Sequence, residues 1–320
     1  MKKTFAFGLV LATAFVAQAS AQDYPSKPVE LIVAFGAGGT TDIGARVLAS
    51  IAEKHLGKPI VVLNKGGAGG QLGWTQLSTS RNDGYTIGYV NLPNLSSIIA
   101  DPERQATFKA ESFTPIVNQV VDPGAIFVRA DSPYKTFDDL VKAAKEKPGT
   151  VRSGTTGILG DDHLAILATQ KAIPGVQFRV VHLADTAAQL KEVLAGNVDV
   201  GFDNVGGLVK YAKSGELRVL AVMSKERSKF LPDVPTTADV GQPSILSSSS
   251  RGIVAPAGTD PEIIKKLEAA FLEAMKDPEH SSKLEAGGFT VKPMNTAEFT
   301  AYFNDNIQTT KELVDIARGQ

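Results

Sequence analysis

From Val29 onward, apolar segments typical of buried strands alternate with segments of helical periodicity, and this alternation constrains the fold more than any other feature. Residues 29–35 (VELIVAF) form a short apolar, β-branched run that stops at Gly36, the pattern of a buried parallel strand. Apolar residues at near-helical spacing fill 43–56, and 59–63 (PIVVL) begins the next strand. The cycle repeats over 66–90. Since strands that alternate with helices build parallel sheets, the sequence predicts an α/β fold.

The first 21 residues have the pattern of an export signal. A lysine pair precedes an apolar run, and Ala19-Ser20-Ala21 supplies the small residues that a signal peptidase recognises. We expect cleavage after Ala21, a periplasmic location and no membrane insertion of the mature chain; an uncleaved anchor is the alternative.

The absence of cysteine excludes disulfides and thiol chemistry. A net charge of -1 gives no argument for a nucleic-acid partner.

The length of the mature chain predicts two domains, because it exceeds what one hydrophobic core usually serves. The apolar segment 125–129 is expected to cross into the second domain, and the proline- and serine-rich stretch 231–250 to lead back. The predicted boundaries are 22–125 with 250–320 for lobe 1 and 126–249 for lobe 2. Two crossings leave a cleft, and such clefts hold small ligands at the carboxyl ends of strands.

Two glycine-rich turns, 36–42 and 66–70, each follow a strand and open a helix. Glycine lets the backbone approach a ligand closely. Free amides at a helix start, together with the helix dipole, favour an anion by up to about 2 kcal/mol. Glycines that merely make tight turns are the alternative for one such turn, whereas two in tandem favour a seat that grips one carboxylate from both sides.

The sequence lacks the motifs of nucleotide-binding proteins and of common hydrolases. In a dinucleotide-binding fold Thr41 would have to be glycine, and Asn64 and Lys65 stand where an acid should hold the ribose. The chain has no phosphate loop, no Gly-x-Ser-x-Gly elbow and no His-Glu-x-x-His helix. No cofactor or metal is expected. His55 and His280 are predicted to be solvated helix residues.

Four polar residues have functional and structural interpretations of their own. Arg251 precedes the return strand and is suited to bidentate binding of a second carboxylate, with a surface salt bridge as the alternative. Asp203 closes the predicted strand 198–202 and either meets a ligand donor or caps the next helix. The adjacent acids 161 and 162 are typical of a helix N-terminus rather than a metal site.

Several blocks resemble the extracytoplasmic receptors of tripartite tricarboxylate transporters, also called Bug-type binding proteins. YPSKPVELIVAFGAGGTTDIGARVLA, NKGGAGGQLG and DGYTIGYV are similar to the opening of that family. GTTGILGDDHLA, LAGNVDVGFDNVGGLVKYAKSGELRVLAV, RSKFLPDVPTTADVG and RGIVAPAGTDPEII are similar to its later blocks, in the same order. The resemblance covers nearly the whole mature chain.

The resemblance implies a two-lobed periplasmic binding protein fold of type II, each lobe a mostly parallel sheet flanked by helices. It implies a monomeric, non-catalytic receptor that closes on a small carboxylate and serves membrane transporter subunits. Arg251 favours a citrate-like ligand or a dicarboxylate over an amino acid or an aromatic acid. A sensor subunit that binds the same ligand is one alternative, and an enzyme that uses His163 with Asp161 or Asp162 is another.

The motifs and the resemblance together give a set of candidate ligand-binding residues. They are Phe35, Ala37, Gly38, Gly39, Thr40, Thr41, Asp42, Ala68, Gly69, Gly70, Asn91, Thr155, Thr156, Gly157, His163, Asp203 and Arg251. The sequence departs from the family at 182–186 (HLADT), where a Pro-Tyr-x-Gly-Gly turn is usual, and at 249–251 (SSR), where an aromatic residue is often found. These departures concern the distal ligand contacts.

Overall fold

The computed structural model describes residues 24–183 and 186–319. The predicted signal peptide, residues 1–21, lies outside this part of the chain. Within the described residues, none of the helices is both long and apolar enough to cross a membrane.

Strands and helices alternate through most of the described chain. The strands are β1 (Val29–Val33), β2 (Ile60–Asn64), β3 (Thr86–Leu92), β4 (Phe113–Arg129), β5 (Arg152–Thr155), β6 (Arg179–His182), β7 (Val200–Asn204), β8 (Leu217–Val222), β9 (Ser248–Pro256) and β10 (Val291–Met294). The α-helices are α1 (Thr40–Leu56), α2 (Gln71–Ser78), α3 (Asn94–Ala100), α4 (Phe137–Glu146), α5 (Asp161–Ala172), α6 (Thr186–Leu194), α7 (Val205–Lys213), α8 (Pro261–Lys276), α9 (Pro278–Ala286) and α10 (Thr296–Arg318). The predicted α/β class is confirmed.

The first sheet has the order β2-β1-β3-β9-β4, with β10 on the other edge of β4. β1 pairs in parallel with β2 and β3, as the βαβ pattern predicts. Apolar residues on one face of the sheet, including Leu31 and Val33, pack against α1 and α8. Those on the other face pack around Trp74 and Phe299. Both faces are buried, which explains the nearly continuous apolar strands.

The second sheet places β7 and β8 beside the carboxyl-terminal half of β4 and continues through β5 to β6. Its core includes Phe137 and Phe202. β4 therefore belongs to both sheets. It pairs with β9 as far as Pro123 and with β7 from Gly124 onward. All the antiparallel strand pairs among the described residues involve β4 or β9, the strands that run between the two sheets.

The carboxyl-terminal helices contact both sheets and bury a histidine that the sequence predicts to be solvated. α10 packs against α3 and β4 on the first sheet's side and also against α5 of the second, where Val314 shares an apolar cluster with Leu159 and Leu164. The prediction that His280 is solvated is wrong, because α9 places this ring at 0% exposure. Its Nε2 lies 2.9 Å from Nε2 of Gln119, inside the protein.

Candidate functional site

A cavity of about 780 Å³ lies where the carboxyl ends of β1, β3, β5 and β7 meet the crossing strands β4 and β9. Open α/β sheets bind their ligands at such ends. A larger cavity of about 930 Å³ lies beside α10 and the segment 223–229, and it contains none of the predicted site residues. We therefore place the candidate site in the smaller cavity, called the cleft below.

The structure brings ten of the predicted site residues together in the lining of the cleft. They are Phe35, Ala37, Gly38, Gly39, Thr40, Thr41, Asn91, Thr156, Asp203 and Arg251. The remaining seven, Asp42, Ala68, Gly69, Gly70, Thr155, Gly157 and His163, lie outside this lining. The lining residues stay predictions as ligand contacts.

Asp42 supports the first glycine turn from behind rather than facing the cleft. Its buried carboxylate accepts hydrogen bonds from the amide of Gly38 at 2.8 Å, from Nε of Arg46 at 2.9 Å and from Nδ2 of Asn64 at 2.9 Å. Burial acts to raise the pKa of Asp42, but these hydrogen bonds outweigh it and the pKa is lowered. The Gly38 amide is thus occupied, whereas the helix-opening amides of Thr40 and Thr41 have no acceptor within the helix.

The second glycine turn does not line the cleft together with the first, and the two-sided grip of one carboxylate stays a prediction. Gly70 lies against the ring of Trp74, where a Cβ atom would meet ring carbons at 2.7 Å. The carbonyl oxygen of Ala68 accepts a hydrogen bond from Nη1 of Arg104 at 3.4 Å. Gly66 lies beside the first turn, because a Cβ on Gly66 would be 3.5 Å from the Gly36 nitrogen. The second turn therefore packs against the first as support.

Three helices begin at the cleft with residues that give no side-chain cap. The N-cap positions are Gly39 for α1, Gly160 for α5 and Asn204 for α7. Uncapped helix starts leave amide donors free, and the helix dipoles add positive potential. The cleft therefore favours negative charge on a ligand or on the protein itself.

Four buried carboxylates use part of that positive potential: Asp122 on β4, Asp161 and Asp162 at the start of α5, and Asp203 on β7. Oδ2 of Asp162 accepts hydrogen bonds from Oγ1 of Thr156 at 2.6 Å and from its amide at 3.1 Å. Asp122 accepts from the Gly206 amide at 3.2 Å. Only Asp203 belonged to the predicted site, and nothing in the sequence around Asp122 marked it as a cleft residue.

Burial is the main influence on all four carboxyl groups, and it raises their pKa values. The pKa of Asp122 reaches about 7, although nearby Arg251 and the Gly206 amide act in the opposite direction. Burial raises the pKa of Asp203 and of Asp161 as well. For Asp162 burial is reinforced by the neighbouring Asp161 and Asp203, so its pKa is raised well above its ordinary value. The cleft thus contains carboxyl groups that hold protons near neutral pH.

Arg251 is the one positively charged side chain among the described residues that line the cleft. It is buried on β9, directly across the strand pair from Asn91 on β3. Its guanidinium carbon lies 5.6 Å from the centre of the Phe289 ring. Nε and Nη1 have no hydrogen-bond partner among the described residues. A buried guanidinium with free donors is suited to bind a carboxylate.

His163 holds the turn before α5 and does not line the cleft. Its Nδ1 accepts a hydrogen bond from the amide of Leu159 at 3.0 Å, and its ring packs edge-on against His182 with centres 4.8 Å apart. Burial, helped by His182 and Arg318, lowers the pKa of His163 to about 4. Thr155 and Gly157 bond to each other in the same turn, with Oγ1 of Thr155 2.9 Å from the Gly157 carbonyl oxygen. These residues shape the loop.

Two helix-flanked sheets that share crossing strands, with a polar cleft between them, define a two-lobed binding protein. The family profile described as the tripartite tricarboxylate transporter family receptor (TctC) matches residues 44–318. The chain belongs to this family of periplasmic receptors, so the predicted two-lobed periplasmic binding protein fold is confirmed.

Individual relatives agree with this assignment. The Cupriavidus necator protein called the UPF0065 protein in gbd 5'region is 33% identical over 321 residues, which covers 98% of this chain and 93% of that protein. The crystal structure of a TctC solute binding protein from Polaromonas is 31% identical, with a TM-score of 0.77 over 91% of this chain and 99% of that one. An R. palustris protein with adipate is 25% identical, with a TM-score of 0.80 over 92% of this chain and 98% of that one.

Proposed function

We propose that the protein captures a small di- or tricarboxylate outside the cytoplasmic membrane and delivers it to a tripartite tricarboxylate-type transporter. The observation that carries the proposal is Arg251, a buried guanidinium in the cleft whose Nε and Nη1 have no partner among the described residues. Leaving a buried donor without an acceptor is unfavourable, so the site is built for an incoming anion.

A second anion seat is available in the cleft at the start of α1. The amides of Thr40 and Thr41 open α1, which begins at an uncapped glycine. We assign one ligand carboxylate to these amides and another to Arg251, which is why a ligand with at least two carboxylates fits better than a monocarboxylate. The related R. palustris structure with adipate, a dicarboxylate, supports the same ligand class.

Transport rather than catalysis is the role that we assign to this site. His163, the histidine nearest in sequence to the cleft acids, lies outside the lining and already accepts the Leu159 amide. We further propose that the chain is exported by its leader, works as a monomer and needs no cofactor. Its family consists of transporter receptors, which supports a membrane transporter as the partner.

Isothermal titration calorimetry with citrate, L-malate, succinate, adipate and acetate tests the proposal. At least one di- or tricarboxylate should bind, and acetate should bind much more weakly. Arg251→Met should weaken that binding by about 2 kcal/mol or more, roughly 30-fold, because a buried charged contact is lost. Arg81→Met, at a strongly exposed side chain, is the matched control. No binding of any acid by the intact protein would refute the proposed function.

A further inference from the structure

The cleft holds more buried carboxyl groups than positive charges. Among the described residues that line it, four aspartates and Arg251 carry the charge, and Tyr211 is the other titratable group. The acids are Asp122, Asp161, Asp162 and Asp203, and each is at most 8% exposed. Asp42, on the α1 side, is instead paired with Arg46 behind the first turn. Since like charges repel strongly where water is excluded, the ionisation of the four acids depends on Arg251.

Arg251 is the shared counter-charge of three of these carboxyl groups. Burial raises the pKa values of Asp122, Asp161 and Asp203, and the positive charge of Arg251 acts in the opposite direction on all three. Its Nε and Nη1 nevertheless have no hydrogen-bond partner among the described residues. The guanidinium therefore stabilises the ionised carboxylates through space, while two of its nitrogens remain available to an incoming anion.

Asp122 depends on this guanidinium more than the other two acids do. Its side-chain oxygens accept one amide, that of Gly206, at the long distances of 3.3 and 3.2 Å. Asp203 has better donors, because its Oδ1 accepts the amide of the next residue at 2.6 Å and the Thr186 side chain also lowers its pKa. Asp161 is supported by an asparagine side chain and by the amides that open α5. Loss of the guanidinium's charge would therefore affect Asp122 most.

A ligand carboxylate bound to Arg251 neutralises the guanidinium, and the rest of the ligand adds negative charge to the cavity. Both changes favour the neutral form of a buried carboxyl group. We propose that the cleft takes up protons together with its carboxylate ligand and that Asp122 is the main proton acceptor. This inference rests on the proposed function and makes ligand capture proton-coupled. Proton linkage then requires the affinity for the ligand to decrease as the pH rises.

Calorimetry in two buffers counts the protons that accompany binding. The tightest binder among citrate, L-malate, succinate and adipate is titrated into the protein in phosphate and in Tris, which ionise with different enthalpies. The difference between the two observed binding enthalpies gives the proton uptake, which should be about half a proton per ligand near pH 7.5. The affinity should decrease by about tenfold between about pH 6.5 and about pH 8.5.

Asp122→Asn provides the variant arm, because asparagine retains an oxygen for the Gly206 amide but cannot titrate. Its proton uptake should be less than about half that of the wild type, and its affinity should change by less than about threefold over the same pH range. Since the ligand is the same in both titrations, the difference between the two proteins excludes protons that the ligand itself exchanges. Asp233→Asn, at an exposed position, is the matched control and should keep the full uptake. Thermal unfolding of each variant verifies that it is folded.

Two results would overturn the inference while leaving the proposed function intact. One is ligand binding by the wild type without proton uptake and with an affinity that does not depend on pH. The other is equal proton uptake in the wild type and in folded Asp122→Asn. If that variant does not fold, the comparison of the two buffers on the wild type alone decides whether protons are taken up. A protein that binds none of these acids contradicts the proposed function itself, and the inference falls with it.

Discussion

Replacing His280 with glutamine should make the protein less sensitive to acid. The ring is fully buried on α9, and its Nε2 faces the amide nitrogen of Gln119 at 2.9 Å. That amide nitrogen also donates to the Gly44 carbonyl oxygen at 3.1 Å, so Nε2 of His280 must accept and the ring must be neutral. Burial accordingly lowers the pKa of His280 to about 4 from its ordinary 6.5.

Proton linkage gives the direction and the size of this change in the free energy of unfolding. Between these two pKa values the unfolded chain binds more protons at His280 than the folded protein does. The contribution of the neutral ring to the free energy of unfolding is therefore complete above about pH 6.5 and is lost as the pH falls toward 4. A shift of this size corresponds to a loss of about 2 kcal/mol between pH 7 and pH 5. Glutamine cannot titrate, so the variant should lose about 2 kcal/mol less than the wild type over that interval.

Urea unfolding of both proteins at pH 7 and pH 5 measures this difference. His55→Gln is the matched control, since His55 is exposed on α1 and buries no polar group. Equal losses of unfolding free energy in the wild type and in His280→Gln would refute the assignment of a neutral, buried His280. Comparing the two proteins at each pH also cancels the contributions of all other titrating groups.

Two further substitutions test the packing and the electrostatics. Gly44→Ala would place a Cβ 2.8 Å from the Tyr89 hydroxyl oxygen and 3.4 Å from Oε1 of Gln119. The substitution should therefore destabilise the protein by about 1–3 kcal/mol in urea unfolding, despite the better helix propensity of alanine. Unchanged stability would contradict the close packing around Gly44. Because burial raises the pKa of Asp122 to about 7, the folded protein retains a proton there that the unfolded chain releases above about pH 4, and stability decreases as the pH rises through that window. Asp122→Asn should therefore raise the melting temperature more at pH 8 than at pH 4, and an equal effect at both pH values would rule out a protonated Asp122.

The sequence predicted those parts of the fold that follow regular periodicity. β1, α1, β2 and β3 lie where the apolar runs and glycine turns placed them. The amino-terminal half of β4 and the short β10 were missed, because Pro115, Pro123 and Pro293 interrupt their apolar patterns. Proline is tolerated where its missing amide would not bond in the ladder, and a single sequence does not reveal that. β9 begins earlier than predicted because its first residues are serines.

The sequence identified those residues of the candidate site that neighbouring residues in the chain mark as functional. It missed those that reach the cleft only because distant segments of the chain meet there. The first glycine turn and Arg251 could be identified from neighbouring residues. Asp122 enters the cleft only because β4 crosses between the sheets at Pro123 and Gly124. The second glycine turn looked equivalent to the first, yet the packing of Trp74 against Gly70 directs it elsewhere. The burial of His280 depends on Gln119, a contact across 161 positions in the chain.

A crystal structure of the protein with a bound di- or tricarboxylate, chosen by calorimetry, tests the central claim most directly. The account predicts one ligand carboxylate within hydrogen-bond distance of the Arg251 guanidinium and another at the amides of Thr40 and Thr41. A ligand bound in the cleft without contact to Arg251, or bound outside the cleft altogether, would contradict it.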